Sequence, residues 1–311
     1  MPVKFVRQAR GVVKAVIERI AVASGTVSLG RRRMRHRTIV LAYHNIVPDD
    51  IDGFGDRPLH LRRADFAAQL DALVATHDVI PLTDLLVART RAHKPAAAIT
   101  FDDAYTGAMS LGLDEVTGRG LPATIFVAPA FVDGGSFWWD AVADARSGLH
   151  PDVRTRALAE LRGSDAAVRK WAAESGIASA RVVSPVARVA TVAEIQLAAR
   201  RPRITMGSHS WSHANLTRLS DDELDDELTR PMAWLRQHVP GAIPWLTYPY
   251  GAFNQHVAAA ASRAGYEAAL AVSGGWTRTP PADRYSIPRV NVPAGISLAG
   301  FQMRAAGYSV G

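Results

Sequence analysis

The stretch ITFDDAYTG, from Ile99 to Gly107, limits what this chain can fold into more than any other. Ala96 to Phe101 is apolar, carries β-branched Ile99 and Thr100, and reads as a buried strand. Two adjacent carboxylates, Asp102 and Asp103, follow at its C-terminal end. Paired carboxylates repel unless a cation or a proton lies between them. An isolated Asp-Asp pair is as often a polar turn as a site. The histidines further along the chain decide between the two.

Around that strand the chain alternates. Thr38–Tyr43 is a core strand with His44 immediately after it, and Asp65–Thr76 has helical spacing. His77–Leu82 can hold a short strand and Leu82–Arg91 a helix; Ala123–Ala128 is another buried strand. From about 137 to 203 alanine, arginine and glutamate dominate, and helical runs are expected near Trp138–Arg146, Val153–Arg162, Ala166–Glu174 and Val192–Arg200. Phe137, Trp138 and Trp139 open this stretch, which reads as a helical insertion; they are either its own core, the favoured reading, or a sugar-stacking wall. Ile204–Ser208 is a strand. Ser220 with Glu223 three residues on is a capping box. Trp245–Tyr250 is a strand, Asn254–Ala264 a helix closed by Gly265, and Ala268–Val272 and Ile287–Val292 are the last strands.

Such alternation over about 270 residues predicts an α/β barrel or an open doubly wound sheet. In a barrel, chemistry belongs at the C-terminal ends of the strands. His44, Asp102, Asp103, His209 and Tyr250 all fall there.

His209 and His213 stand four residues apart, so on a helical turn or a tight loop both rings point the same way. Two imidazoles and one carboxylate make an open metal site with positions left for water and substrate. Asp103 can be that carboxylate, which frees Asp102 to take a proton from water. Zinc fits the donor set; nickel, cobalt or iron would also bind. The chain has no cysteine, so thiolate ligands and cysteine nucleophiles are excluded. There is no Gly-x-Ser-x-Gly elbow and no Walker or Rossmann glycine pattern.

With TFDDAY (Thr100–Tyr105), HSWSH (His209–His213) and YPYG (Tyr248–Gly251) in that order, the chain resembles the polysaccharide deacetylases with the NodB-homology domain, carbohydrate esterase family four. The resemblance implies a distorted, incomplete (β/α) barrel and metal-dependent removal of N-acetyl groups from sugar polymers. By motif, it makes Asp102 the base, Asp103, His209 and His213 the metal ligands, and the Tyr250 N–H an oxyanion donor. Within the same motifs Tyr105, Trp211 and Tyr248 are the aromatic residues expected to meet substrate. Three features depart from the family pattern. Ala104 stands where glycine is usual, the arginine before the proline-tyrosine motif is absent, and so is the late Leu-x-His that supplies an acid. The family's poly-N-acetylglucosamine deacetylases resemble this chain more closely, with an early Tyr-His and a late Pro-Arg. Here these are Tyr43-His44 and Pro288-Arg289, which assigns His44 as a protonated general acid and sets Arg289 near Asp102.

The expected function is therefore de-N-acetylation of an N-acetylhexosamine-containing glycan. The alternatives are an O-acetyl esterase and a non-catalytic carbohydrate-binding relic. The relic reading is weakened because base and ligands are all present.

Charge adds a second region. Residues 1–37 hold ten Lys/Arg and one acid, leaving 26 basic and 28 acidic groups on the other 274 residues. The body, 38–311, is thus not a nucleic-acid surface, and the basicity belongs to an extension. At 100° per residue, Phe5, Val6, Val12, Val13, Val16, Ile17 and Ile20 share one face, and Arg31–Arg37 follow. A basic amphipathic helix of this kind suits the inner face of an anionic membrane, or caps the barrel. Charged residues break any secretory or membrane-spanning run, so a cytoplasmic protein is expected.

Overall fold

The computed structural model describes residues 18–87, 93–144, 146–177, 183–272 and 274–308. Most of the predicted amphipathic segment, residues 4–17, lies outside them, as do the end of the helix expected over Leu82–Arg91 and the centre of the stretch around 178–182.

The parallel strands come from the apolar runs. They are β1 (Arg37–Tyr43), β5 (Ala96–Phe101), β6 (Ala123–Val127), β7 (Ile204–Ser208), β8 (Trp245–Thr247), β9 (Ala268–Ala271), β11 (Ile287–Pro288) and β12 (Val290–Asn291). The order is β1-β5-β6-β7-β8-β9-β11, and β12 returns to pair with β1. The result is a nearly closed, barrel-shaped sheet within a mixed α/β fold. All six residues of β5 are buried, as expected of a parallel strand covered on both faces. Alternate residues part the two faces. Val40, Ala98, Phe126, Trp245, Leu270 and Ile287 pack together with Leu82 and Leu85 in one cluster. Ile39, Leu41, Tyr43, Ile99 and Phe101 belong to another, under the surrounding helices. Gly207 leaves room for this filling: a Cβ there would lie 2.6 Å from the Phe126 ring.

Two strand expectations and one helix expectation change. The last strand is split at Arg289. Ile287 and Pro288 pair with β9 in register with Leu270 and Ala271, while Val290 and Asn291 pair with Leu41 and Ala42 of β1. One segment switches neighbours because it closes the sheet. The strand expected over Trp245–Tyr250 stops at Thr247, since Pro249 lacks an N–H and Tyr250 turns with φ 59°. Leu82–Leu86 is a 3₁₀ turn. Three further strands, β2 (Asn45–Val47), β3 (His60–Arg62) and β10 (Trp276–Arg278), were not foreseen. The last is antiparallel to the start of β1.

Helices Trp138–Ala141, Pro151–Ala159, Asp165–Glu174 and Val192–Ala199 lie between β6 and β7. Phe137, Trp138 and Trp139 are buried, with Phe137 and Trp139 stacked at 4.4 Å. The Ser220–Glu223 capping box forms and starts the helix Asp221–His238. The helix Thr26–Met34 packs on the body through Val27 and Gly30. A Cβ at Gly30 would sit 2.5 Å from the Ala306 carbonyl, and the Tyr308 hydroxyl donates to the Thr26 carbonyl. Among the described residues no helix is long and apolar enough to cross a membrane.

Candidate active site

Strand periodicity aims Ala98, Thr100 and Asp102 at one side of β5, the barrel interior, and the chain then turns sharply. Asp103 (φ 71°) and Ala104 (φ 48°) both take the left-handed conformation, so a glycine at 104 would be less strained than alanine. The turn is held by contacts from 188–190. The Ala190 N–H donates to the Ala104 carbonyl at 3.0 Å and the Thr106 N–H to that of Arg188 at 2.8 Å.

Asp102 accepts two parallel hydrogen bonds from Arg289, Nη1 to Oδ1 and Nη2 to Oδ2, both 2.8 Å. Burial alone would raise the Asp102 pKa. The Arg289 guanidinium, with His209, outweighs it and holds this carboxyl well below the usual range. Asp103 behaves oppositely. Burial, then the neighbouring Asp102 and Asp140, push its pKa well up. Its Oδ1 is buried without a hydrogen-bond partner.

That oxygen lies 3.6 Å from His209 Nε2 and 3.5 Å from His213 Nε2. One ligand atom from each of Asp103, His209 and His213 falls within 4.8 Å of the others. Burial lowers both histidine pKa values, that of His213 strongly, so the rings are neutral, as metal ligation needs. His209 Nδ1 is 2.8 Å from the Thr247 carbonyl, and donating there leaves Nε2 free to ligate. Ser210 (φ 61°) and His213 (φ 57°) bend the loop that carries both rings. Glu227 braces it, accepting from the N–H groups of Trp211 at 3.0 Å and Ser212 at 2.9 Å. An unpartnered carboxylate oxygen facing two neutral imidazoles fits a divalent cation.

A cavity of about 190 Å³ opens above this centre, lined by His44, Asp102, Asp103, His209, His213, Tyr248 and Tyr250, with Leu59, Trp139, Arg154 and Val272 among its walls. Arg289 lies behind Asp102, fully buried. Burial pushes the His44 pKa down to about 4, which favours the neutral ring, and Arg289 and His209 add to this against the pull of Asp102. This direction runs against the protonated His44 expected from the sequence. Tyr250 presents its backbone at the left-handed turn, while its hydroxyl donates to the Gly163 carbonyl at 3.0 Å.

Two of the residues expected to meet substrate do not line the cavity. Tyr105 is buried beneath the cavity, its hydroxyl donating to Asp140 Oδ2 and accepting from Trp139 Nε1, both at 2.8 Å. Trp211 is not among the cavity's lining residues and lies under the Arg230 guanidinium, 4.1 Å from its ring centre. Tyr248 does reach the cavity wall, with its hydroxyl donating to Tyr285.

Sequence reasoning missed Glu227, Asp140 and His60. Glu227 had a signal, because helical spacing sets it on the apolar stripe of Leu224, Leu228 and Leu235. Asp140, which accepts from His60 Nε2 at 2.9 Å and from the Asp56 N–H, had none, since its partners are distant in sequence.

A family model described as polysaccharide deacetylase matches residues 89–269. No curated protein matches the chain. Among solved structures, the chain is similar to IcaB from Ammonifex degensii, with 17% identity, TM-score 0.61, and coverage of 88% of this chain and 98% of that one. It is also similar to a de-N-acetylase from Aggregatibacter actinomycetemcomitans, with 14% identity, TM-score 0.59, and coverage of 86% and 99%. Streptococcus pyogenes deacetylase PplD, solved with acetate, gives 14% identity, TM-score 0.59, and coverage of 86% and 97%.

Proposed function

The chain belongs to the polysaccharide deacetylase family, and from that premise we propose that it hydrolyses the N-acetyl groups of an N-acetylhexosamine-containing glycan with a divalent ion held by Asp103, His209 and His213. The observation that carries this reading is the division of labour between the two adjacent carboxylates. One is neutralised by Arg289 and remains a base; the other points an unpartnered oxygen at two neutral imidazoles. The similarity in fold to a de-N-acetylase supports the choice of bond.

A bound ion would supply a Lewis acid for the acetyl carbonyl and a more acidic water. Asp102 accepts the proton of the attacking water. The Tyr250 N–H donates to the oxygen that becomes negative. Asp102 is so acidic beside Arg289 that it does not keep the proton. His44 shares the cavity, receives the proton and passes it to the departing amine. His44 thus acquires its proton during turnover. The walls Trp139, Leu59 and Val272 give the sugar an apolar face to lie against.

The test is acetate release from a panel of acetylated glycans, with and without chelator. Asp102→Asn is expected to keep the metal and to lose turnover on the order of 10²–10⁴-fold. Near-normal turnover in that variant would remove Asp102 as the base. Faster release from O-acetyl than from N-acetyl glycans would move the assignment to an esterase.

A further inference from the structure

The other end of the barrel carries a concentration of positive charge that the hydrolytic site does not use. In the helix Thr26–Met34 and the turn after it, Ser28, Arg31, Arg32 and Arg35 recur at three- and four-residue spacing and so share one face. With Ala75, Thr76, His93, Lys94 and Pro95 they line a groove of about 670 Å³. No acidic side chain is among its described lining residues. Among the described residues, Arg31 donates to Ser28 Oγ at 2.9 Å, Arg35 to His36 at 2.8 Å and Lys94 to the Ala75 carbonyl at 3.3 Å, all neutral acceptors.

Gathering four permanent cations in one groove costs repulsion that an anion would relieve. The helix cannot turn the arginines away, because its opposite face is locked through Val27 and Gly30 against residues 306–308. Exposed aliphatic side chains lie close to the groove's lining residues in the chain. Leu29, next to Ser28, is 50% exposed; Val74, next to Ala75, is 42% exposed; and Ile20, upstream, is 61% exposed. Cations with exposed aliphatic side chains near them in the chain match a lipid interface, where phosphates meet the cations and aliphatic groups enter the acyl boundary.

We propose that this groove binds the phosphate groups of an anionic lipid surface and holds the protein with its active-site mouth turned away from the bilayer. The orientation follows from strand direction. Arg35 lies just before β1 and Pro95 just before β5, whereas His44 and Asp102 follow those strands. Seven residues of β1 separate the two ends by roughly 20 Å. A glycan therefore reaches the mouth from the solvent side; this last step rests on the site assigned above.

The test uses the full chain and vesicles of phosphatidylcholine, with phosphatidylserine added in steps to equimolar. Binding is expected to require the anionic lipid and to weaken with salt. An Arg32→Ala, Arg35→Ala, Lys94→Ala triple variant is expected to bind on the order of 10²-fold more weakly. Its melting temperature and its acetate release from a soluble acetylated glycan should be unchanged. Lys94→Glu alone is a second variant, expected to weaken binding without touching the helix. Acetate release, measured without vesicles, reports on the hydrolytic site separately. Parent-like vesicle binding by both variants would overturn the proposal. So would equal binding to neutral vesicles, or occupation of the groove by inorganic phosphate with no vesicle binding.

Discussion

Arg289 reaches Asp102 across 187 residues of sequence and grips both of its oxygens at 2.8 Å. It sits between the two-residue strands that join β9 to β1, so the residue that closes the barrel also sets the charge state of the proposed base. Thr100 Oγ1 accepts a further bond from Nη1 at 3.2 Å, which fixes the guanidinium plane.

Removing this cation should be felt twice. In Arg289→Gln the Asp102 pKa is expected to rise, because burial is then less opposed, and the acid limb of the pH–rate profile should move upward. Stability should also fall, by about 3–5 kcal/mol, since a buried carboxylate is left without its partner. The sign follows from the depressed folded pKa: the pair's stabilisation is full above the unfolded value and is lost as pH falls toward the lower folded one. An unmoved acid limb, measured from pH 4 to 8 on acetate release, would show that this limb reports another group.

Metal content should depend on the two histidines and not on the fold. A His209→Ala, His213→Ala double variant is expected to lose bound ion and activity while keeping the circular dichroism of the folded barrel. Elemental analysis at full occupancy in that variant would exclude the site.

Glu227 is expected to act on the ion without touching it. Glu227→Ala would release the N–H groups of Trp211 and Ser212 and relax the strained loop between the histidines. Metal affinity should drop roughly 10–100-fold. Competition with a chelator of known affinity reads this directly, and an unchanged constant would make Glu227 a helix residue of no consequence to the ion.

His44→Ala separates leaving groups. Acetamido sugars, whose amine must leave protonated, should lose turnover, while an activated aryl acetate should be cleaved nearly as before. Equal losses on the two substrates would mean that His44 positions the glycan and that the proton travels elsewhere.

His77 offers an acid-stability test far from the site. Burial pushes its pKa down to about 4, and its Nε2–H donates to the Ala305 carbonyl at 2.8 Å. The neutral ring is favoured in the fold, so stability is full above pH 6.5 and falls as pH drops toward 4, by up to about 3 kcal/mol. His77→Gln should flatten this dependence in urea unfolding curves. Parallel behaviour of parent and variant between those pH values would place the acid sensitivity in another group.

Much of this molecule was written in local patterns. Apolar runs of five to seven residues gave β1, β5, β6 and β7 close to their observed bounds, because a parallel strand buried on both faces leaves an uninterrupted apolar signal. Ser220 with Glu223 predicted the start of its helix for an equally local reason. The adjacent carboxylates and the two histidines announced a centre, since like charges and ligand spacing are properties of neighbours in sequence. The tertiary structure alone decided the rest. It split Ile287–Val292 at the seam, aimed Asp103 Oδ1 at the imidazoles, held His209 on Thr247, and drew Tyr105 onto Asp140, off the cavity wall. Each of these depends on which strands become neighbours when the sheet closes, and that contact has no counterpart in the order of residues along the chain.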